Sequence, residues 1–323
     1  MRVLVTGAAG FAGRHLVQRC AAGGAEVVGL GRRSVAEAEP PPGLAEYLRV
    51  DLRDIGAVRG AVASIRPDRV FHLAADASVG ASWSSPSNTI ESNMASALGL
   101  LEAVRDVAPH ASVLVACSAE EYGPTAAGSG PVTEAQPLRP VSPYAVSKAS
   151  VDLLAGFYAD AHGLRVVRTR AFNHTGPGQG PGYVVADLAG QIARAEAEAD
   201  AQRSAVRLAV GDTSVRRDFT DVRDVVRAYD RLLECGAEGV FNVCRGESAA
   251  IDDIVAGLAR QTPLHVEART DPALVREHEV MEIRGSRERL TALTGWRPEI
   301  PLDDTLGAAL DSWRERVRRA REP

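Results

Sequence analysis

The chain has 323 residues, is 45% hydrophobic and 24% charged, and carries a formal net charge of −5. This is an ordinary soluble balance, long enough for one large domain or a large and a small one. Its acidity gives no reason to expect nucleic acid, no apolar run is long enough for a membrane span, and the four cysteines (Cys20, Cys117, Cys235, Cys244) have neither metal spacing nor a paired framework. An anionic ligand must therefore be met by local arginines. A first strand at Arg2 leaves no room for a signal peptide, so a cytoplasmic enzyme with reduced thiols and no metal is expected.

Arg2–Thr6 reads as a short apolar strand. It runs into the glycine turn Gly7-Ala8-Ala9-Gly10-Phe11-Ala12-Gly13, and a helical pattern follows from His15 to Ala22. Strand, glycine turn and helix in that order form a dinucleotide fingerprint, here spaced G-x-x-G-x-x-G. Gly7 permits the turn, Gly10 lets a pyrophosphate approach the helix end, and Gly13 permits close packing of helix on strand. A second strand, Glu26–Leu30, is followed by Gly31-Arg32-Arg33. An NAD site usually places an acid there. Two arginines suit a 2′-phosphate, so NADP(H) is expected over NAD(H); the alternative is a pair of solvated loop arginines.

After a proline-rich loop, Leu48–Leu52 reads as a third strand whose Asp51, with Leu52, meets the adenine. Asp54–Ile65 reads as a helix. Arg69–Ala75 reads as a fourth strand ending in Leu73, Ala74 and Ala75, small enough at its tip for a cofactor to pass. A helix is expected over Asn93–Val107. Ser112–Ser118 reads as a fifth strand that delivers Ser118 at its carboxyl end, where open α/β sheets place ligands. Ser142 and Pro143 then suit the N-cap and first position of a helix to about His162. Tyr144 and Lys148 are four apart on one face of it. An ammonium beside a phenol favours the phenolate, which would fit the tyrosine for proton transfer near neutral pH; the alternative is a solvated helix face. Leu164–Arg170 reads as a sixth strand.

This alternation predicts a doubly wound, mostly parallel sheet over residues 1–172, with a return near 240–245. Residues 173–323 read mainly as a smaller substrate cap. Helices are expected there over Ala186–Ala199, Val222–Glu234, Ile251–Arg260, Arg287–Thr294 and Leu302–Arg319.

The glycine turn, Ser118 and Tyr144-x-x-x-Lys148 together resemble the extended short-chain dehydrogenase/reductase family. Arg170-Ala171-Phe172-Asn173-His174-Thr175-Gly176-Pro177, Arg217-Asp218-Phe219-Thr220-Asp221-Val222 and Gly295-Trp296-Arg297-Pro298 resemble its nucleotide-sugar branch. The spelling is most similar to that of the GDP-4-keto-6-deoxymannose reductases and their sister GDP-mannose 4,6-dehydratases. The resemblance implies that Ser118 holds the sugar oxygen, Tyr144 is its acid/base, and Lys148 holds the nicotinamide ribose. It further implies that Asn173, Arg217 and Arg276 meet the substrate diphosphate, with Ser78 and Val79 also lining the sugar site; the alternative for Arg217 is an ion pair with Asp218 or Asp221, and for Arg276 one with Glu277 or Glu279. Glu120 stands where the dehydratases carry their C5 base, but reductases resemble this spelling too. An NADP-dependent reduction of a GDP-linked 4-keto-6-deoxy sugar is therefore expected. The alternatives are a 4,6-dehydratase, an epimerase or a cofactor-sensing protein without chemistry. The resemblance also implies a homodimer, with Ala95, Leu98, Ala149, Leu153 and Leu154 packing a four-helix bundle.

Overall fold

A computed structural model describes residues 1–32, 40–125, 130–199, 204–275 and 280–321. Arg33 and Arg276, both expected at ligands, lie outside the described residues. The first half runs β1 (Arg2–Thr6), α1 (Phe11–Ala22), β2 (Glu26–Gly31), β3 (Leu44–Arg49), α2 (Ile55–Ile65), β4 (Arg69–His72), α3 (Val79–Ser84), α4 (Pro86–Val107), β5 (Ser112–Ser118), α5 (Pro143–His162) and β6 (Arg165–Ala171). The second half runs β7 (Asn173–Thr175), α6 (Val184–Glu198), β8 (Ala205–Val210), β9 (Arg216–Arg217), β10 (Phe219–Asp221), α7 (Val222–Glu234), β11 (Gly239–Val243), β12 (Ala249–Ala250), α8 (Ile251–Ala259), β13 (His265–Thr270), β14 (Glu282–Ile283), α9 (Glu288–Thr294) and α10 (Leu302–Arg319).

The central sheet has the order β11-β6-β5-β4-β1-β2-β3, and every pairing in it is parallel. This is the doubly wound α/β fold expected. One core cluster packs α2, α4 and α5 on one face, through Val62, Leu100, Leu101 and Val151. A second packs α1 and α7 on the other, through Leu16, Val17, Val226 and Trp296. A third, under α6, α8 and α10, is built from Ile192, Leu208, Ile254, Leu258 and Leu310. The order of winding reverses between β1 and β4, which opens a ligand crevice beyond their carboxyl ends.

Several boundaries differ from the sequence reading. Helix α1 begins at Phe11 rather than His15, because extended Gly10 is its N-cap, so Phe11, Ala12 and Gly13 form its first turn. Strand β3 ends at Arg49, so Asp51 and Leu52 follow it in a turn instead of ending it. Strand β4 stops at His72, leaving Leu73–Ala75 as irregular backbone over the glycine turn. Helix α4 starts seven residues before Asn93, with Pro86 in its first turn. Ser78 N-caps the short α3 by accepting from Ala81 N at 3.2 Å; Gly80 and three serines hid this helix.

Two glycines of the turn are required by geometry. Gly7 has φ +71°, and a Cβ on it would lie 2.9 Å from Ala74 N. A Cβ on Gly13 would overlap the Gly7 carbonyl and stand 2.9 Å from Ala8 Cα. Both obstacles are backbone, so relief means moving α1 off β1. Gly13→Ala is therefore expected to cost roughly 1–3 kcal/mol, the scale of overpacking. A denaturant melt that leaves the midpoint unchanged would show that this packing is looser than described.

Candidate active site

The crevice holds a cleft of ≈ 530 Å³ bounded by Gly7, Gly10, Gly31, Arg32, Asp51, Leu52, Ala74 and Ala75. Its lining also includes Tyr47, Arg53, Asp76, Ser92 and Ser96, which the sequence reading did not single out for it. The amino end of α1 opens here, and helix amino ends favour anions. Arg32 reaches Asp76 at 3.4 Å, and its backbone carbonyl accepts from Arg49 Nε at 3.1 Å. Asp51 accepts from Arg53 Nη2 at 2.6 Å and from Arg53 Nε and N at 3.0 Å each. This hydrogen bonding pushes the Asp51 carboxyl down to about 2.

At the end of β5 the chain turns through a short 3-10 segment, Ala119–Tyr122. Ser118 Oγ accepts from Glu120 N at 3.2 Å, and Ser118 N donates to Glu121 Oε1 at 2.7 Å. Ser142 caps α5 by accepting from Ala145 N at 3.1 Å, with Pro143 in the first turn. That cap aims Tyr144 at Ser118, whose side chain lies near enough to favour the ionised phenol. Lys148, one turn on, is 6% exposed and donates Nζ to Ala116 O at 2.7 Å. Asn93 of α4 donates Nδ2 to Ser147 Oγ at 2.9 Å and accepts from Asp76 N at 2.8 Å. It thereby ties α5 to the rim of the cleft.

The electrostatics differ from the sequence reading. Burial, which no spacing reveals, is the largest influence on the Tyr144 acidity in this structure. Burial raises the phenol well above its ordinary value, the bond from Ser118 opposes that rise, and the Glu120 charge adds to it. Burial also lowers the Lys148 ammonium. His72, bonded through Nδ1 to Thr6 Oγ1 at 2.8 Å, is pushed down to about 3 by burial and then by the Lys148 charge, so it stays neutral.

Behind β5 lies an acid cluster that sequence reasoning missed. The ligand atoms of Cys117, Glu121 and Asp152 lie within 4.8 Å of one another, all buried. Both Asp152 oxygens are bound by guanidinium: Oδ1 accepts from Arg168 Nη1 at 2.7 Å and Oδ2 from Arg170 Nε at 2.8 Å. Burial, then the neighbouring Asp152, holds Glu121 well above the usual carboxylate range. Burial also keeps Cys117 a thiol. Arg170 Nε also lies 3.6 Å from Glu121 Oε2, so two acids and two guanidinium groups share a cluster behind the Ser118 amide.

On the opposite side, β7 carries Asn173 in register with Phe219 of β10. Arg217 is 9% exposed, and its Nη1 donates to Arg216 O at 2.9 Å and Val280 O at 2.6 Å. Asp218, one alternative partner considered for it, instead accepts from the backbone N–H groups of Arg245, Gly246 and Gly285. Ser78 and Val79 sit at the start of α3, partly buried. The loop after Asn173 is tied to α1: His15 Nε2 meets Pro177 O at 2.9 Å, and the His174 ring stacks on Phe11 at 6.0 Å.

A family model described as GDP-mannose 4,6 dehydratase matches residues 4–308. The chain belongs to this family. It lies in the nucleotide-sugar branch of the extended short-chain dehydrogenase/reductases, as its motifs implied. It is 37% identical over 319 residues to GDP-6-deoxy-D-mannose reductase of Pseudomonas aeruginosa, covering 98% of each chain. Among solved structures it is similar to RMD from Pseudomonas aeruginosa complexed with NADPH, at 35% identity and TM-score 0.85, over 98% of this chain and 99% of that one. It is also similar to UDP-glucose 4-epimerase with UDP-glucose from Thermotoga maritima, at 27% identity and TM-score 0.87, over 98% and 100% of the two chains.

The buried Glu121 makes a pH prediction. Its folded pKa is raised, so above the ordinary value of 4.5 the unfolded chain has lost a proton that the fold retains. Stability then falls as pH rises, until the raised value is passed. The interval from about pH 6 to pH 8 lies above Asp218, which burial raises to about 6. In thermal melts over that interval Glu121→Gln is expected to lose less stability than the wild type. Parallel curves would mean that Glu121 is ionised in the fold.

Proposed function

We propose that the protein is an NADP(H)-dependent reductase acting on the C4 keto group of a GDP-linked 4-keto-6-deoxy sugar. The observation that carries this reading is the joining of Ser118, Tyr144 and Lys148 at the carboxyl end of β5, beside the glycine-walled cleft. The family and the similarity to a GDP-sugar reductase support it. The cleft fits a dinucleotide on its own evidence. Gly7 and Gly13 leave no room for a Cβ, and β2 ends without the acid that would repel a 2′-phosphate. Gly7, Gly10, Phe11, Ala12 and Gly13 would hold the pyrophosphate, Asp51, Leu52 and Leu73–Ala75 the adenosine side, and Arg32 the 2′-phosphate.

NADPH, when bound, supplies a hydride to C4. Tyr144, kept protonated by burial, gives its proton to the C4 oxygen while Ser118 orients that oxygen. The tyrosinate left behind gains from the Lys148 ammonium on the same helix face, an attraction strengthened by burial. Asn173, Arg217 and Arg276 would meet the substrate diphosphate, and guanidinium forks suit phosphate oxygens. In this reading residues 1–172, with the returning β11, bind the cofactor, and 173–323 mainly bind the sugar nucleotide. A cytoplasmic setting suits these substrates; among the described residues no helix is long and apolar enough to cross a membrane.

A 4,6-dehydratase is the second reading, favoured by one observation. Glu120 is held beside Ser118 and close enough to influence Tyr144, where a carboxylate could move a C5 proton. Turnover separates the two, because a reductase consumes NADPH stoichiometrically and a dehydratase recycles its hydride. With a 4-keto nucleotide sugar, Tyr144→Phe is expected to lower turnover roughly 10²–10⁴-fold. Lys148→Met should cost both rate and NADPH affinity, non-additively with Tyr144→Phe. Glu120→Gln should do much less harm. The reductase reading falls if Glu120→Gln is as damaging as Tyr144→Phe while the wild type consumes no NADPH.

A homodimer is part of the same proposal. Helix α5 exposes Leu153 at 66%, Phe157 at 56% and Val146 at 38%, an apolar row on a helix already packed against α4. Joining the α4–α5 pairs of two copies would cover it. Light scattering at micromolar concentration is expected to give twice the 34.1 kDa chain mass; a monomer would remove the dimer from the proposal.

A further inference from the structure

We infer that Tyr47 is a cofactor-specificity residue: its hydroxyl occupies the end of β2 where a ribose-binding acid would project, and donates to the adenosine 2′-phosphate beside Arg32. The inference rests on the NADP(H) reading above and adds a residue to it.

The argument starts from two glycines. Gly29 and Gly31 lie in β2, where glycine packs nothing and weakens a strand. Neither has positive φ, so the backbone does not require glycine at either position. Their neighbour does. Tyr47 stands opposite Gly29 in the β2–β3 register, and its ring lies along the strand as far as Gly31. A Cβ at Gly29 would come within 2.9 Å of Tyr47 Cδ2, as well as 2.8 Å of Ala8 Cβ. A Cβ at Gly31 would overlap the Tyr47 hydroxyl and lie 3.3 Å from Cζ. The phenol oxygen therefore fills the space of a residue-31 side chain.

That space has a defined use in a dinucleotide fold. About 20 residues past the glycine turn, an acid at the end of the second strand binds the ribose 2′-hydroxyl of NAD. Here that position is Gly31, and both Gly31 and Tyr47 line the cleft. A carboxylate there would repel a 2′-phosphate, whereas a phenol excludes the carboxylate and offers an O–H donor. The nearby charges leave room for this donor to matter. Arg53 is already bound bidentately to Asp51. Arg32 holds a long, exposed contact to Asp76 that a phosphate dianion can replace.

Binding of NADPH, NADH, 2′,5′-ADP and 5′-AMP to the wild type, Tyr47→Phe and Gly31→Asp/Tyr47→Ala tests the inference. Phenylalanine keeps the ring on β2 and removes only the hydroxyl. Tyr47→Phe is expected to weaken NADPH and 2′,5′-ADP about 10- to 100-fold, the worth of a hydrogen bond to a charged group, and to leave NADH and 5′-AMP unchanged. The double variant is expected to reverse the preference towards NADH. An unaltered NADPH preference in Tyr47→Phe, or equal weakening of all four ligands, overturns the inference while leaving the NADP(H) reading intact. So does a double variant with wild-type preference. A wild type that prefers NADH overturns both.

Discussion

A buried ammonium needs a partner, and here one carbonyl supplies it. Lys148 meets Ala116 O at 2.7 Å, and this contact sets α5 against β5. Two residues along a strand advance about 6.6 Å, and four along a helix about 6 Å. Ala116 and Ser118 share one side of β5, as Lys148 and Tyr144 share one side of α5. Once the ammonium is bound to the first member of the strand pair, the phenol falls at the second. The matching of the two periods, rather than an independent fit at each residue, brings the hydroxyls of Ser118 and Tyr144 together.

The strand end itself is held from behind. Glu121 accepts from the Ser118 amide, and Asp152 on α5 binds Arg168 and Arg170 on β6. Arg170 also donates to the Tyr122 hydroxyl at 3.1 Å, and Tyr122 donates to Asn242 Oδ1 of β11 at 2.7 Å. Three adjacent strands and the helix over them thus share one polar network. Buried networks of this kind are costly when partly satisfied and rigid when satisfied. A second set of contacts reaches the sugar side. The ring of Phe11, one residue beyond the cap of α1, stacks on His174, and His15 meets Pro177 O. The glycine turn and the loop after Asn173 are therefore held against each other, although their residues stand more than 150 positions apart in the chain.

Where local chemistry decides, the sequence was legible. Strands β1 and β5 are short apolar runs, and α5 carries its own cap in Ser142-Pro143, so their bounds and the Ser118–Tyr144–Lys148 grouping could be read directly. Where long-range contacts decide, it was not. Strand β3 is an edge strand with little buried surface, defined by its pairing to β2, so Asp51 looked like part of a strand rather than a turn residue chelated by Arg53. Nearness in sequence suggested that Lys148 governs Tyr144, but the depth of burial, which no spacing reveals, is the larger effect. Glu121 carried no signal of its own, because its setting is made by the arginines that β6 brings to Asp152. Gly31 was read as a missing acid; that Tyr47 fills the gap depends on how β3 pairs.

The choice between reduction and dehydration turns on which proton the site holds at the start. A dehydratase begins by taking a proton from the C4 hydroxyl and therefore needs the tyrosinate first; a reductase begins with the phenol and needs the tyrosinate only as product. In this chain burial favours the phenol, and the charges of Glu120 and Glu121 push the same way. The Ser118 hydrogen bond opposes them. The Lys148 ammonium matters most once the proton has left, because attraction between opposite charges is strongest when both exist and water is excluded. The acidic turn after β5 thus adds to burial in favouring the phenol, the form from which a reduction would start, and the same Glu120 that suggests a dehydratase acts in that direction.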